Sequence, residues 1–584
     1  MNAKRSFQVK TPWLAFRGDV PAQLDYPDCT LYEAVERCAQ KYPDYPAYVF
    51  MGRKTSYRIM VQEINLCARA LKAIGVRAGD RVTVALPNCP QAVTAFYAIN
   101  LVGAVANMIH PLSSEKEIEF YLKESGSLFA ITLDQFYHKF EAIRHNVNLD
   151  NIILDNIILA SIKDALSQPI KAGYMLTEGR KMEKIPKDAP VLRWNEFMRR
   201  GRTYHWKYKA EKQAEDVAVI LYSGGTTGIT KGILLTNLNF NALGAQVLAT
   251  NPMFRPGDKM LAVMPVFHGF GLGISIHTML MYAGCCILVP RFTADSYAKL
   301  LLKYRCNFIA GVPTLYEALL RLPAMKNADL SCLKGVFSGG DSLSVELKKR
   351  FDKFLLDHGA VVQVREGYGL TECVTASCLT PYQTAKEGSI GIPFPDTYYK
   401  IVKPGTHKEL PYGQEGEICL SGPTVMKGYL NHPEETEQTL QEHEDGLTWV
   451  HTGDLGAMDQ DGFVYFKQRI KRMIVTSGYN VYPSQLENVF DAHELVQMSC
   501  VIGVPDALKI QKVKAFIMLK PGVVASQETK DELMAYARKH IAKYALPYDI
   551  EFRAELPKTL VGKVAYRELE EEELGKLAAA GAAK

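Results

Sequence analysis

The chain has 584 residues, of which 47% are hydrophobic and 22% charged, a composition typical of globular proteins and not of disordered ones. Its net charge of +5 is too small to indicate nucleic-acid binding, and no RNP, zinc-finger or basic-zipper pattern occurs. The twelve cysteines are scattered, without a Cys-x-x-Cys pair or a Cys/His set with zinc spacing, so we expect buried thiols in a reducing compartment.

The N-terminal region alternates between helical and strand patterns. The start of the chain has basic residues but no apolar segment typical of a signal peptide. A strand is predicted over 80–88, followed by a helix over 114–125 that opens with a capping box from Ser114 to Glu117. Further strands are predicted at 128–133, 258–264, 284–289, 306–310 and 334–338. This alternation predicts βαβ units and parallel sheets.

A basic segment lies between residues 171 and 212, with twelve Lys or Arg against five Asp or Glu. Trp194, Phe197 and Trp206 are interleaved with these charges. A solvated surface insertion would explain the segment. The alternative is contact with anionic lipid headgroups, where each basic residue adds about 1 kcal/mol. We therefore expect a cytoplasmic protein, with peripheral contact at the inner membrane face as a further hypothesis.

The glycine-rich stretch YSGGTTGITKG, residues 222–232, resembles a phosphate-binding loop but is not a Walker loop. A Walker loop needs glycine before the lysine and Ser or Thr after it, whereas Lys231 stands between Thr230 and Gly232. Strand patterns flank the stretch on both sides, and a helical pattern begins only at Asn237. A hairpin connection remains possible, yet hydroxyls, open backbone amides and one cation together suit a polyphosphate.

Residues 260–290 contain no Asp, Glu, Lys or Arg, and their length would allow a bilayer span. Pro265 and several glycines interrupt the run. A strand, a loop, a buried helix and a second strand therefore fit it better than a membrane helix.

Four further motifs follow in a fixed order: EGYGLTE (366–372), HTGDLG (451–456), QRIKRMIVTSGYNVYPSQLE (468–487) and LPKTLVGKVAYREL (556–569). With the glycine-rich loop, they resemble the adenylate-forming superfamily, most closely the bacterial long-chain fatty-acyl-CoA ligases. The resemblance covers roughly residues 30–570.

The resemblance implies an α/β fold in which a large N-terminal domain of parallel α/β layers carries a β-barrel-like subdomain, followed by a small mobile α+β C-terminal domain. The expected domains are 1–468 and 469–584, with a hinge near Lys471. The implied reaction uses ATP and Mg²⁺ to convert a fatty acid into an acyl-adenylate with loss of pyrophosphate. The acyl group then passes to coenzyme A.

Residue roles follow from the resemblance, motif by motif. The loop residues would hold pyrophosphate oxygens: Ser223, Gly224, Gly225, Thr226, Thr227, Gly228 and Lys231. The adenine would lie against Tyr368 and its glycine neighbours and against the SGGDSL segment: Gly367, Gly369, Gly339, Gly340 and Asp341. Asp454 and Arg469 resemble the ribose ligands, with Phe466 packed near the nucleoside. Thr371 and Glu372 resemble the pair that meets phosphate and Mg²⁺.

Lys563 is the residue expected to carry the first step, because one cation between the carboxylate and the α-phosphate offsets their repulsion. Lys471 marks the hinge, and Gly478 would line the path of the CoA thiol. Gln468 departs from the family pattern, which usually has Asp or Gly before the arginine. His268 resembles the histidine at the wall of the acyl site.

The acid is expected to be neutral and apolar beyond its carboxylate, because residues 264–273 contain no Asp, Arg or Lys. Phe267, Phe270, Leu272 and Ile274 stand near His268. A medium or long fatty chain is favoured, and an aryl acid remains open. Alternatives are loading of a carrier protein, a luciferase-like oxidase, or a lipid-binding protein without catalysis. The sequence leaves a monomer and a homodimer equally open.

Overall fold

The computed structural model describes residues 9–148, 156–177, 185–186, 188–222, 230–476, 479–506, 509–559 and 563–582. Within them, the first sheet has eight strands. In spatial order they are Gly428–Tyr429, Gly232–Thr236, Val217–Tyr222, Val105–Met108, Arg81–Ala85, Phe129–Leu133, Asn156–Ala160 and Val191–Arg193. From Val217–Tyr222 onward the neighbouring strands are parallel, as the βαβ pattern predicts.

The second sheet has nine strands in the described residues, and its central strands are also parallel. In spatial order they are Ile392–Pro393, Cys378–Leu379, Val364–Tyr368, Gly335–Ser338, Phe308–Gly311, Lys259–Ala262, Cys285–Leu288, Pro46–Phe50 and Arg53–Ser56. The strands predicted at 258–264, 284–289, 306–310 and 334–338 are confirmed.

The glycine-rich loop joins two antiparallel strands, as predicted. Tyr222 pairs with Gly232 at the end of the hairpin next to the loop. The helix Asn237–Ala249 begins directly afterwards, and the Thr236 hydroxyl accepts the backbone N–H of Asn239 as its cap. The loop therefore does not run from a strand into a helix, which is the feature that defines a Walker loop.

Helices cover the two parallel sheets. Those of the large domain are Leu31–Lys41, Tyr57–Ala73, Pro90–Leu101, Glu115–Ser125, Tyr137–Asn148, Gln168–Leu176, Trp194–Arg202, Asn237–Ala249, Met279–Met281, Ala294–Tyr304, Pro313–Leu319, Val345–Asp357 and Pro433–Thr439. The predicted capping box at Ser114 and Glu117 is present. The helix Pro90–Leu101 is buried from its second residue onward and packs in the main hydrophobic core.

The apolar run 260–290 forms a strand, a loop, a buried helix and a strand, as predicted. The helix differs in type: Phe270–Thr278 is a π-helix that continues into Met279–Met281. The Thr278 hydroxyl donates to the Gly273 carbonyl at 2.9 Å, five residues back. Among the described residues, no helix combines the length and apolar content needed to cross a membrane.

The third sheet is antiparallel. Its strands are Tyr398–Val402, Gly416–Ser421, Thr448–Met458, Leu440–Glu442 and Val464–Arg469. Asp454 and Arg469 are direct partners across two of these strands. One buried hydrophobic cluster, which includes Ile418, Leu420 and Phe463, packs against the sheet.

The C-terminal part has a sheet of its own. After the 3₁₀ turn Ile470–Arg472 come the strands Ile474–Thr476, Tyr479–Val481, Val496–Asp506, Ile510–Leu519 and Asp549–Phe552. The helices of this part are Pro483–Asp491, Gln527–His540 and Tyr566–Ala582. A separate hydrophobic cluster, with Phe490 and Leu533 fully buried, forms its core.

Candidate active site

A cavity of about 910 Å³ opens where the two parallel sheets and the C-terminal part meet. Several residues that line the cavity come shortly after the ends of parallel strands. They are His110 after Val105–Met108, Gly339 after Gly335–Ser338 and Gly369 after Val364–Tyr368. The carboxyl ends of parallel strands are where α/β proteins bind ligands, because the loops there are free to vary.

At one end of the cavity lies a buried carboxylate, Asp454, which is 2% exposed. Its Oδ2 accepts the Tyr368 hydroxyl at 2.6 Å, and its Oδ1 lies 3.3 Å from Arg469 Nε. Burial raises the pKa of Asp454, while the charge of Arg469 opposes that rise. Oδ1 is buried and has no hydrogen-bond partner among the described residues, so it can accept a hydroxyl from a ligand.

The aromatic rings beside this carboxylate form a small platform. The Tyr368 and Phe466 ring centroids lie 5.8 Å apart with an interplanar angle of 34°. Phe466 itself stands opposite Gly456 in the strand pair that also joins Asp454 to Arg469. One sheet therefore positions the carboxylate, the arginine and the second ring together.

Glu372 lies on the wall of the cavity and is held by a residue that the motifs do not contain. Its Oε1 accepts the Tyr429 hydroxyl at 2.8 Å. The Lys231 ammonium stands 5.1 Å from the centre of the same Tyr429 ring and 3.6 Å from Glu435 Oε1. The strand Gly428–Tyr429 pairs with Gly232–Thr236, which brings Tyr429 beside the end of the glycine-rich loop.

Lys563 enters the cavity from the C-terminal part. Its side chain lies against Gly340, where a Cβ would come within 3.3 Å of the lysine Cε. Gly340 also has a φ of +82°, so a side chain there would be strained as well as crowded. The Thr559 N–H donates to the Lys563 carbonyl at 2.7 Å, which helps to fix the backbone of the lysine.

The electrostatics around Lys563 favour a lysine that gives up its proton more readily than usual. Burial lowers the pKa of Lys563, and the negative charge of Asp341 opposes this. Burial and the charge of Lys563 also lower the pKa of His268 to about 3, so this imidazole is neutral at pH 7. Both side chains line the same cavity.

The other end of the cavity is apolar. Phe267, Phe270 and Ile274 line it, as expected, and Leu272 packs in the core instead. Residues from distant parts of the chain complete this wall: Val247, Phe337, Ala376, Leu379 and Phe394. This end of the cavity can therefore bind a large apolar group.

The structure brings many of the sequence-predicted residues to this one cavity. Those that line it are Lys231, His268, Gly339, Gly340, Gly367, Gly369, Thr371, Glu372, Arg469 and Lys563. Tyr368, Asp454 and Phe466 contact one another next to this lining. The negative charge of Asp341 acts on Lys563 and raises its pKa. Six of the expected pyrophosphate ligands and the tunnel glycine lie outside the described residues: Ser223, Gly224, Gly225, Thr226, Thr227, Gly228 and Gly478. The side chain of Lys471 is also outside them.

Sequence reasoning missed several side chains in the cavity: His110, Tyr121, Tyr222, Tyr429, Glu435 and His451. His110 packs on Phe267, with ring centroids 4.2 Å apart, and burial lowers its pKa to about 4. Tyr222 does stand at the start of the glycine-rich loop, and its hydroxyl donates to Asn107 Oδ1 at 2.8 Å. That position, and the place of His451 at the start of the HTGDLG motif, were the available signals.

The family models match this architecture. The model described as AMP-binding enzyme matches residues 35–430, and the one described as AMP-binding enzyme C-terminal domain matches residues 485–563. The chain belongs to the AMP-binding enzyme family. Membership of the adenylate-forming superfamily and the α/β fold class are thereby confirmed, as is the enzyme class, an AMP-forming acid–thiol ligase.

Two curated relatives match nearly the whole chain. A long-chain-fatty-acid–CoA ligase of Bacillus subtilis is 37% identical, over 97% of this chain and 99% of its own. One of Salmonella typhimurium is 34% identical over the same shares. Among solved structures, an anthranilate CoA ligase in complex with anthranoyl-AMP has a TM-score of 0.81 at 26% identity, covering 97% of this chain and 99% of its own. ATP-bound MatB from Rhodopseudomonas palustris has a TM-score of 0.79 at 25% identity, over 93% and 99%.

Proposed function

We propose that this protein activates a medium- or long-chain fatty acid with ATP, releases pyrophosphate, and transfers the acyl group to coenzyme A with release of AMP. The observation that carries the proposal is the meeting of Lys563, from the C-terminal part, with His268, Glu372 and Arg469 in one cavity. The relatives named as long-chain-fatty-acid–CoA ligases support the choice of acid.

The nucleotide would occupy the polar end. Asp454 Oδ1, which is ion-paired with Arg469 but accepts no hydrogen bond among the described residues, would accept a ribose hydroxyl in a charge-assisted hydrogen bond, and Arg469 would donate beside it. Tyr368 and the wall of Gly339 and Gly340 would flank the adenine. Lys231, at the end of the glycine-rich loop, would meet the outer phosphates together with the loop hydroxyls.

Lys563 would act at the reacting centre. A fatty carboxylate and the α-phosphate are both anions, and an ammonium group between them lowers the energy of their approach. The desolvated surroundings strengthen that attraction, since little water competes with it. The carboxylate oxygen then attacks the α-phosphorus, the bond to the bridging oxygen breaks, and pyrophosphate leaves.

Mg²⁺ fits the residues at Glu372. The Glu372 carboxylate and the Thr371 hydroxyl both line the cavity, and both offer the hard oxygen donors that this ion prefers. The Tyr429 hydroxyl orients the carboxylate. Bound there, Mg²⁺ would offset phosphate charge, while Thr371 and Glu372 hold the phosphate chain in register with Lys563.

The apolar end would take the fatty chain. Each buried CH₂ contributes about 0.8 kcal/mol, so affinity rises with chain length until the wall at Val247 and Phe394 is reached. His268 is uncharged at neutral pH because of its lowered pKa, so no cation there would select a second carboxylate.

The C-terminal domain, from about residue 469, would rotate between the two half-reactions about Lys471. The present pose holds Lys563 in the cavity and corresponds to adenylation. In the second pose Lys563 would withdraw and the segment around Gly478 would face the path of the CoA thiol. Such rotations need only a few hinge residues.

A panel of C6 to C18 fatty acids and aryl acids tests this proposal, scored by AMP release with and without CoA. We expect CoA-dependent AMP formation that is fastest with medium or long chains. Turnover with a carrier protein in place of CoA would contradict the proposal. A preference for aryl acids would contradict the choice of substrate.

The basic segment 171–212 would contact anionic membrane. Trp194 and Phe197 are buried in the core, but Trp206 is 72% exposed, and the helix Trp194–Arg202 ends in three arginines. We expect sedimentation with anionic liposomes at low salt, weakened by Trp206→Ala. Binding no stronger than to neutral liposomes would refute this contact.

A further inference from the structure

An amide side chain, Asn251, lies at the apolar end of the active-site cavity, which it lines together with Val247. Asn251 follows the helix Asn237–Ala249 and is 8% exposed. Its Nδ2 donates to the Val247 carbonyl at 2.6 Å, so the amide lies one helical turn beyond Val247. A buried amide in an apolar wall costs free energy unless its polar atoms are hydrogen-bonded, so the oxygen of Asn251 needs a partner as well.

Arg365 is that partner. Its Nη1 donates to Asn251 Oδ1 at 2.9 Å and to the Thr250 carbonyl at 2.9 Å, and its Nε donates to the Thr380 carbonyl at 2.8 Å. Hydrogen bonds from a charged guanidinium are stronger than those between neutral groups. Arg365 stands opposite Phe337 in two parallel strands, and Phe337 lines the same cavity. Both polar atoms of the Asn251 side chain are therefore held, one by its own helix and one by the second sheet.

A second cavity, of about 560 Å³, adjoins the first at this amide. In the part of the chain that the structure describes, Asn251 is the one residue that lines both cavities. Val247 lines only the active-site cavity, whereas the next residue, Leu248, lines only the second. The lining of the second cavity is mainly apolar and includes two exposed cations: Pro27, Ala34, Phe254, Met281, Arg37 and Lys41. An apolar chain that passed Asn251 would therefore enter a second apolar space.

We propose that the Asn251 side chain, held by Arg365, is the partition that limits the length of the acyl chain. The inference rests on the proposed function, since it concerns the fatty acid that the apolar end would bind. To pass, the terminal methyl group of a longer chain would have to displace an amide whose two polar atoms are hydrogen-bonded. A buried polar group that loses its partner costs more free energy than the burial of one methylene contributes. A chain that ends before Asn251 is unaffected.

Removal of the partition should extend the chain length that the protein binds. The dissociation constants of saturated C10 to C22 acids for the full-length protein, measured by competition with a fluorescent fatty acid, test this. In the unaltered protein, we expect the constant to fall about fourfold per methylene up to a limiting length and then to stay level. In Asn251→Ala and Asn251→Ser the limit should lie at a longer chain. The C22 acid should then bind about 16-fold more tightly or better, the effect of two further methylenes, and the C10 acid should bind as before.

A double variant tests whether the longer chain enters the second cavity. Leu248 is half-buried and lines only that cavity, so Leu248→Trp should reduce its volume. Adding Leu248→Trp to Asn251→Ala should return the limit to its original chain length, and Leu248→Trp alone should leave it unchanged. Asn195→Ala, which removes an exposed asparagine elsewhere, is the control. Thermal melts verify the fold of each variant.

If Asn251 serves only to cap its helix, Asn251→Ala and Asn251→Ser should melt at a lower temperature but keep the unaltered limit, which would overturn the proposal. So would the lack of any limit up to C22 in the unaltered protein, or a double variant that keeps the gain. These binding measurements need no turnover. Failure of the proposed reaction has a different signature, the absence of CoA-dependent AMP release with every fatty acid.

Discussion

The ribose end of the cavity and its lysine end are assembled in different ways. Asp454, Arg469 and Phe466 belong to one antiparallel sheet, whose register fixes them relative to each other. Lys563 instead belongs to the C-terminal part, and its side chain lies in the cavity against Gly340. If the C-terminal domain rotates about Lys471 as we propose, the first arrangement persists after the rotation, and the second exists only in the pose described here.

This difference separates the roles of the two ends. A group that serves both half-reactions belongs on the fixed sheet, since the adenylate must stay bound throughout. A group needed only while the carboxylate attacks can be carried by a domain that later moves away. Variants at the two ends should therefore differ in which of the two half-reactions they slow.

Replacing Lys563 with Ala should give the largest effect. The ammonium that offsets carboxylate and phosphate charge is lost, and adenylation should slow by roughly 100- to 1,000-fold. Thioester formation from supplied acyl-adenylate should be retained. The two half-reactions are measured separately by single-turnover kinetics. Lys539→Ala, at an exposed position of the same domain, serves as the control and should change neither. Equal loss of both half-reactions would contradict the assignment.

Asp454→Asn should weaken both half-reactions. A hydrogen bond to a charged group contributes about 1.5–3 kcal/mol, so the KM for ATP should rise about 10- to 100-fold. The affinity for acyl-adenylate should fall by a similar factor, measured by competition binding. The exposed Asp295→Asn provides a matched control. An effect on adenylation alone would remove the distinction between the two ends.

The pH dependence of adenylation should report Lys563 and not His268. Lys563 works as the cation, and its pKa is lowered by burial, so the rate should fall as pH rises through that pKa, by about tenfold per unit above it. His268 has a pKa of about 3 and stays neutral between pH 5 and 8, so it adds no step there. Single-turnover rates across pH 5–10 check this. If the rate still falls at high pH in Lys563→Ala, a group other than Lys563 causes the fall.

Gln468→Met should have the smallest effect. Gln468 is 1% exposed, and neither of its amide atoms has a hydrogen-bond partner among the described residues. Removing such a group stabilises the present pose by about 1 kcal/mol, which favours it about fivefold. Adenylation should be unchanged, and thioester formation should slow by that factor. Faster thioester formation would show that the amide is satisfied here and not in the second pose.

Local patterns predicted the parts of the molecule that local physics decides. The hairpin around the glycine-rich loop follows from two β-rich runs, and the helix at Glu115 follows from the Ser114 capping box. The apolar run at 260–290 predicted a buried helix. Its π-helical form was not predictable, because apolar side chains alone do not distinguish one helix type from another.

Contacts between distant segments could not be predicted from those patterns. Tyr429 holds Glu372 only because its short strand pairs with Gly232–Thr236, far earlier in the chain. The motifs identified the chemistry of Lys563 and Asp454 by resemblance, and the three-dimensional arrangement supplied their neighbours.

The central claim is that a carboxylate oxygen attacks the α-phosphorus of ATP. The most direct measurement uses a fatty acid labelled with ¹⁸O in its carboxylate, with mass analysis of the products after CoA transfer. The account predicts one labelled oxygen in AMP for each turnover and none in pyrophosphate. Label in inorganic phosphate or pyrophosphate, or AMP without label, would contradict it.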